Sequence, residues 1–400
     1  MDSSYDVVIA GGGPVGALLA LALGESPLSL LHVDSAEAGT GTRAGIGTGA
    51  GAERPIALSH GSRLLLDRYG VFRRIHNTPI LTIHVSQRGG FGRTLMRADD
   101  YALPALGYVA AYSAIRAAMA GESKSAPLIG RVTAWSDAPA GLSVSLQLPD
   151  AGHREVQTRL LVLADGGASE MRASSPPKGA ASAGVSRIRD YAQSALVAQV
   201  QAEKPHRNTA YERFTPQGPL ALLPNDEGYA MVWCTRAEEA LELREMGDRA
   251  FLDRLGARFG ARLGKFVACS KRQSFPLALR YLTAGTAPRV IAIGNAAQTL
   301  HPVGGQGMNL GLRDAWELAA SILKRLSVLD QPDFSAGFMA QRSADRRAEI
   351  SLTDSLVRVF SHPDRLVGAA RGAALMAIDT LPRARRLLAA AMMYGLRSGR

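Results

Sequence analysis

Gly11, Gly13 and Gly16 are spaced as glycines must be where a backbone turns tightly around a phosphate. They belong to Gly11-Gly12-Gly13-Pro14-Val15-Gly16, directly after the β-branched run Tyr5 to Ala10 and at the start of an apolar run. In a strand–turn–helix unit the first glycine makes the turn and the second admits a pyrophosphate to the backbone. The third lets the helix pack against the strand, and the helix N-terminus offers N–H groups and positive dipole to the phosphates. A second apolar run, Leu28 to Val33, ends in Asp34, at the distance expected for an acid that bonds a ribose hydroxyl. A lone glycine motif is weak. Strand, turn, helix, strand and terminal acid in this order predict a dinucleotide site, without separating NAD from FAD.

Two later stretches carry related chemistry. Leu160 to Ala164 reads as a buried strand and runs into Asp165-Gly166-Gly167-Ala168-Ser169, with Arg172 beyond. Alone, that Asp-Gly pair is only a turn. Val290 to Ile293 is another short apolar strand, followed by Gly294-Asn295-Ala296-Ala297 and then by His301-Pro302-Val303-Gly304-Gly305-Gln306-Gly307-Met308-Asn309. A helical pattern continues over Leu310 to Leu326. A strand ending in Gly-Asn sets a small polar side chain where it can bond a polyol. Glycines ahead of a helix present N–H groups to developing negative charge, such as the N1/C2 edge of a reduced isoalloxazine.

Taken together and in this order, the three stretches resemble the class A flavoprotein monooxygenases, the FAD-dependent aromatic hydroxylases. That family carries G-x-G-x-x-G, a central D-G, and G-D-A-A-H-x-x-x-P-x-x-G-Q-G-x-N. Arg54 to Ser62 (RPIALSHGS), Gly218 to Pro224 (GPLALLP), Val232-Trp233-Cys234 and Phe275-Pro276-Leu277 are similar to the ubiquinone-biosynthesis hydroxylases. Gly294 to Gly307 reads GNAAQTLHPVGGQG, with Asn295 and Gln298 where most members have Asp and His. The 2-polyprenyl-6-methoxyphenol hydroxylase branch shares that variant.

The resemblance implies an α/β fold: a Rossmann-like FAD-binding domain of the p-hydroxybenzoate hydroxylase type, an antiparallel-sheet substrate domain and C-terminal helices. It implies that Gly11, Gly13, Gly16 and Asp34 hold the ADP half of FAD. Arg54 would contact its pyrophosphate or ribityl region, and Asp165 and Gly166 would lie near the FAD and the nicotinamide path. Asn295 would bond the ribityl chain, and Pro302, Gly305, Gln306, Gly307, Met308 and Asn309 would follow the flavin ring. Asn295 gives up a charge but keeps an acceptor oxygen, so its bond should be weaker. Between Gly107 and Met119, relatives often carry an arginine or histidine toward FAD; here Ser113 stands there, with Arg116 one helical turn on as a substitute.

The activity implied is hydroxylation of a polyprenylated phenol in ubiquinone biosynthesis, with NAD(P)H and O2 as co-substrates, through a flavin C4a-hydroperoxide. No second dinucleotide fingerprint marks an NAD(P)H site. A phenol already bears its activating oxygen, so no strong base is demanded and the catalytic residue stays unassigned, with His301 as the candidate. Other readings of the same motifs are a hydroxylase of a soluble aromatic, a flavin reductase or oxidase, and a non-catalytic flavoprotein subunit working with other ubiquinone-biosynthesis proteins.

Plainer readings stand beside these. Arg54 alone reads as a solvated loop charge, and a lone His301 is more often a structural hydrogen-bonder than a base. Trp233 and Cys234 in a strand-like run read as core, and so do Met392 and Met393 on an apolar helix face. The eight histidines show no ligand spacing, so no metal site is expected.

Hydrophobic residues at 46% and charged ones at 20% exclude a disordered chain. Cys234 and Cys269, the only cysteines, exclude a disulfide scaffold and fit a reducing, cytoplasmic setting. The 46 Lys+Arg against 35 Asp+Glu leave +11, yet no finger, RNA-binding box or basic zipper accompanies the charge, so no nucleic-acid partner is expected. Val7 to Gly24 is uncharged but reads as strand, turn and helix instead of a membrane span or signal peptide. Ala38 to Ala52 reads as a loop. Alternating runs at Leu81 to Gln87, Ala192 to Gln201 and Ala230 to Thr235 read as strands of the substrate sheet.

The expected division is 1–76, 101–183 and 274–344 for FAD, 77–100 and 184–273 for substrate, and 345–400 as a helical region. After Asp379 the chain has no acid but carries Arg383, Arg385, Arg386, Arg397 and Arg400 among Leu387, Leu388, Met392, Met393, Tyr394 and Leu396. Such a segment is either a basic amphipathic helix lying peripherally on an anionic membrane or a docking helix with its arginines in water.

Overall fold

A computed structural model describes residues 3–35, 54–139, 141–166, 186–282, 288–361 and 364–395. The loop expected over Ala38 to Ala52, the stretch Gly167 to Arg172, and Leu396, Arg397 and Arg400 lie outside the described residues.

The first sheet is parallel at its centre. Its neighbours run Leu128–Ile129, Leu30–Asp34, Ser3–Ala10, His153–Leu163 and Val290–Ala292, with Arg131–Ala138 and Gly141–Gln147 added antiparallel beside the first half of His153–Leu163. Alternation fixes both faces. Val7, Ile9, Leu160 and Val162 pack with Leu18, Leu19 and Leu312 of the helices Pro14–Leu23 and Gln306–Lys324. Val8, Ala10, Leu161 and Leu163 pack with Val33, Leu142 and Val144. The uncharged run Val7 to Gly24 is therefore a strand and a helix joined by the glycine turn.

Register brings the motifs together. Ala10 stands beside both Val33 and Leu163, and Leu163 beside Ala292. The turns after Ala10, Leu163 and Ala292 thus leave the sheet at one edge, the carboxyl ends of its strands, where open α/β sheets bind ligands.

The second sheet has the neighbour order Gln298–Thr299, Gln273–Leu282, Ser186–Ala202, Gly228–Arg236, Gly218–Asn225, Thr209–Thr215, Thr82–Gln87 and Arg93–Arg97, with Phe266–Cys269 beside the end of Ser186–Ala202. Every pair is antiparallel except Thr209–Thr215 with Thr82–Gln87. A small sheet of Pro55–Ser59, Gly107–Ala111 and Asn77–Ile80 pairs with neither but packs on both through Ile56, Leu58, Ile80 and Val109, and the boundary expected at 77 falls at one of its strands. The helix Pro332–Ser361 runs through the boundary expected at 345. Helices Arg365–Thr380 and Pro382–Tyr394 follow.

Candidate active site

The phosphate turn is held by contacts that only glycine allows. Gly11 adopts φ +122°, and a Cβ there would sit 2.5 Å from the Ala164 carbonyl oxygen. A Cβ on Gly16 would meet the Gly11 carbonyl at 2.0 Å. Gly13 differs: the nearest atom to its Cβ position is the Tyr112 hydroxyl at 3.3 Å, so the space beside it is not filled by protein. Gly13 is also the N-cap of Pro14–Leu23 and offers no side-chain cap, leaving the first N–H groups of that helix for a ligand.

Asp34, at the end of its strand, is 8% exposed. Its Oδ1 accepts the Gly12 N–H at 3.2 Å and its Oδ2 accepts Arg116 at 3.0 Å. A carboxylate offers about four lone-pair sites, so both oxygens retain capacity for a ribose hydroxyl. His32 Nε2 lies 3.1 Å from the Gly11 carbonyl and must donate to it. Arg116 thus holds Asp34, while Ser113 is exposed on the same helix, Tyr112–Glu122. Arg54 lies at the mouth of the turn, where its carbonyl accepts the Tyr112 N–H at 2.9 Å. Burial pulls the Arg54 guanidinium below its usual pKa, partly offset by Tyr112. Burial also raises the Tyr112 phenol. No carboxylate among the described residues pairs with Arg54.

Asp165 and Gly166 follow at the same edge. The Asp165 amide would lie 2.7 Å from a Gly11 Cβ, and beside Gly166 a Cβ would meet nothing within 4 Å. Farther along, the Gly294 N–H donates to Asp314 Oδ2 at 3.2 Å, and Gln298 Nε2 donates to the same oxygen at 3.0 Å. Arg342 closes on the other Asp314 oxygen at 2.8 Å. The Asn295 carbonyl accepts Arg280 at 3.2 Å, and its part-exposed side chain bonds none of the described residues.

The turn from Pro302 to Asn309 runs over the small sheet. Gly304 and Gly305 take φ +70° and +64°, which positions the N-terminus of Gln306–Lys324 without a side-chain cap. Asn309 is spent on the protein: Nδ2 donates to Ala57 O and Gly305 O, both at 2.9 Å, and Oδ1 accepts Ser59 N–H and Ser62 Oγ–H. Pro302 and Met308 are half-buried, and beside Gly307 a Cβ would meet nothing within 4 Å. Gln306 Nε2 bonds the Gly304 and Met392 carbonyls, while its Oε1 is buried without a partner.

His301 is 1% exposed and burial pushes its pKa down to about 4. Its Nδ1 accepts the Val303 N–H at 3.2 Å, so Nε2 carries the proton toward Gln193 Oε1 at 3.3 Å. Tyr191 packs edge-on at 5.3 Å. This neutral histidine shapes the turn.

The FAD binding domain family model matches residues 130–330. The ubiquinone hydroxylase of Rhodospirillum rubrum is 33% identical over all of this chain and 91% of its own length. The chain belongs to the FAD-dependent ubiquinone-biosynthesis hydroxylases. The mitochondrial ubiquinone biosynthesis monooxygenase of Homo sapiens is 29% identical, over 90% of this chain and 86% of that one. The 3-demethoxyubiquinol 3-hydroxylase of Escherichia coli is 28% identical over 77% of each. Among solved structures, p-nitrophenol 4-monooxygenase of Pseudomonas putida superposes with a TM-score of 0.73 at 17% identity, covering all of both chains, which shows the fold.

For a member of this hydroxylase family the residues present fit FAD. The backbone beside Gly166 and Gly307 is open, only the Tyr112 hydroxyl stands near Gly13, and Arg54, Asn295 and the Gln306 oxygen carry polarity that the described residues do not use. An anion suits Arg54 and the helix start at Pro14. Motif reading missed Tyr112 and the Asp314–Arg342 anchor. Neither lies in a signature, and only the fold brings Tyr112 to Gly13 or Arg342 to Asp314.

Proposed function

We propose that the protein hydroxylates the aromatic ring of a polyprenylated phenol on the way to ubiquinone, with NAD(P)H and O2 as co-substrates. The observation that carries this reading is that the turns after three neighbouring parallel strands, with glycines at Gly11 to Gly16, Gly166 and Gly294, leave the first sheet at one edge, while Phe214 of the second sheet packs against Val303 of the glycine-rich turn. Bound FAD supplies the two-electron exchange with NAD(P)H and the activation of O2.

The chain's own residues bind, orient and exclude water. Gly11, Gly13 and the start of Pro14–Leu23 receive the pyrophosphate, Asp34 the ribose, Arg54 the phosphate charge and Asn295 the ribityl hydroxyls. The turn at Gly304 and Gly305 and the uncapped start of Gln306–Lys324 would offer backbone N–H groups to negative charge on the flavin ring. Phe214, Val303 and Val85 pack together between the turn and the second sheet and keep water away. A prenyl tail partitions into lipid. No helix among the described residues is long and apolar enough to cross a membrane, and we assign peripheral contact to the C-terminal helices.

The test supplies purified, FAD-loaded protein with NADH or NADPH, a prenylated phenol and isotopically labelled O2. The expected result is phenol-stimulated NAD(P)H oxidation and a product carrying one labelled oxygen. NAD(P)H consumption that yields only H2O2 with every phenol in a prenylated and unprenylated panel would overturn the hydroxylase reading in favour of an oxidase. Turnover of unprenylated phenols alone would move the substrate to the soluble class.

A further inference from the structure

The second sheet has two unlike faces. Leu220, Leu222, Met231 and Trp233 point to the side covered by the helices Ala237–Glu245 and Asp248–Phe259, and all are buried. On the opposite side, Val85, Glu212, Ala221 and Val232 form one cross-strand row, because Glu212 pairs in register with both Val85 and Ala221, and Ala221 with Val232. Every residue of that row is part-exposed, and the helix Pro332–Ser361 comes against the two strands that carry Glu212 and Ala221. Phe214, two residues on from Glu212 and on the same face, packs against Val303 of the flavin turn. The row therefore looks toward the cofactor side.

Glu212 is the one charged group in this row. Its Oε1 is covered and has no hydrogen-bond partner. A buried carboxyl oxygen left unpaired is costly, and the residues beside it in the row are apolar. An aromatic ring with one hydroxyl matches what the row offers: apolar walls for the ring and tail, and one polar atom for the oxygen.

We propose that Glu212 is a substrate-binding residue whose free carboxyl oxygen hydrogen-bonds the phenolic hydroxyl and so sets which ring carbon faces the cofactor. This rests on the phenol-hydroxylase reading above. Burial raises the Glu212 pKa to about 7. Near neutrality the side chain can thus accept the phenol O–H as a carboxylate or donate to its oxygen as an acid. A fixed hydroxyl orients the positions ortho and para to it, the carbons a phenol activates.

The experiment compares a prenylated phenol with its O-methyl ether in the FAD-loaded wild type, Glu212→Gln and Glu212→Leu. Binding is read from the flavin absorbance change and turnover from labelled product. Wild type should prefer the free phenol by about tenfold or more in Kd and kcat/KM, the size of a hydrogen bond to an ionisable group. In Glu212→Leu the preference should fall to near unity while FAD content stays at the wild-type level; Glu212→Gln should lie between. Wild-type discrimination in both variants would overturn the proposal. The binding arm reads Glu212 even if no phenol is hydroxylated, an outcome that would sink the hydroxylase reading alone.

Discussion

Gly11 and Gly13 have different physical tasks in one turn. Gly11 is fixed by the protein, through φ +122° and the Ala164 carbonyl 2.5 Å from any Cβ. At Gly13 only the Tyr112 hydroxyl is near, at 3.3 Å, so a methyl group there intrudes on the ligand's space. Gly11→Ala should cost the apoprotein more than about 2 kcal/mol, from backbone strain and overpacking together. Gly13→Ala should cost the apoprotein only about 0.5–1 kcal/mol, because alanine is a poorer N-cap than glycine, and weaken FAD at least about tenfold, near 1.4 kcal/mol. Urea melts of apoprotein and fluorescence titration with FAD separate the two; equal destabilisation would refute the assignment. The glycines of Gly11 to Gly16 stood out in the sequence, because residue type and spacing suffice to mark a phosphate turn, and Asn295 stood out only by its place after a short apolar strand. Glu212 was hidden: its setting exists only once Val85 pairs with it across 127 residues of chain. Its only local sign was an acid between Ala210 and Phe214, on the apolar side of an alternating strand.

At the scale of elements, the helix Gln306–Lys324 ties the glycine-rich turn after His301 to the rest. Its Asp314 holds Gly294 and Gln298 with one oxygen and Arg342 of Pro332–Ser361 with the other, and both partners of the ion pair are almost wholly buried. Removing Arg342 takes from the buried Asp314 carboxylate the guanidinium that neutralises it, whereas Arg342 without Asp314 keeps Glu317 at 2.8 Å. Arg342→Met should therefore destabilise by about 3–5 kcal/mol, while Arg342→Met combined with Asp314→Asn should lose clearly less than the two single changes summed. Additive losses in denaturant melts would show that the pair is not the anchor. The sequence predicted this helix from Leu310; it begins at Gln306, because the glycine turn leads into it directly. Long alternating strands were equally legible. The small sheet of Pro55–Ser59, Asn77–Ile80 and Gly107–Ala111 was not, since strands this short carry little period and are fixed by pairing and packing that only the fold supplies.

Over the whole molecule, a charge of +11 meets an unusual C-terminal surface. The last helices dock by one side: Thr94 bonds the Leu375 carbonyl, Leu95 N–H bonds Asp379, and Ala389 and Met393 pack on Met96 and Leu106. Their outer side is apolar and basic, with Leu366 81% and Leu387 73% exposed, joined by Met376 and Leu381 and flanked by exposed Arg383 and Arg386. The docking and membrane readings of this segment are thus compatible, each using a different side. Burying a leucine is worth about 1.5–3 kcal/mol, and each arginine near an anionic surface about 1 kcal/mol, lost as salt rises. Full-length protein should co-sediment with vesicles containing phosphatidylglycerol, less so at high salt. Leu387→Glu, which touches no buried contact, should lower that binding roughly tenfold without changing FAD content. Binding that ignores both Leu387→Glu and salt would mean that this face meets something other than a lipid surface, and that the prenylated substrate reaches the apolar row of the second sheet by another route.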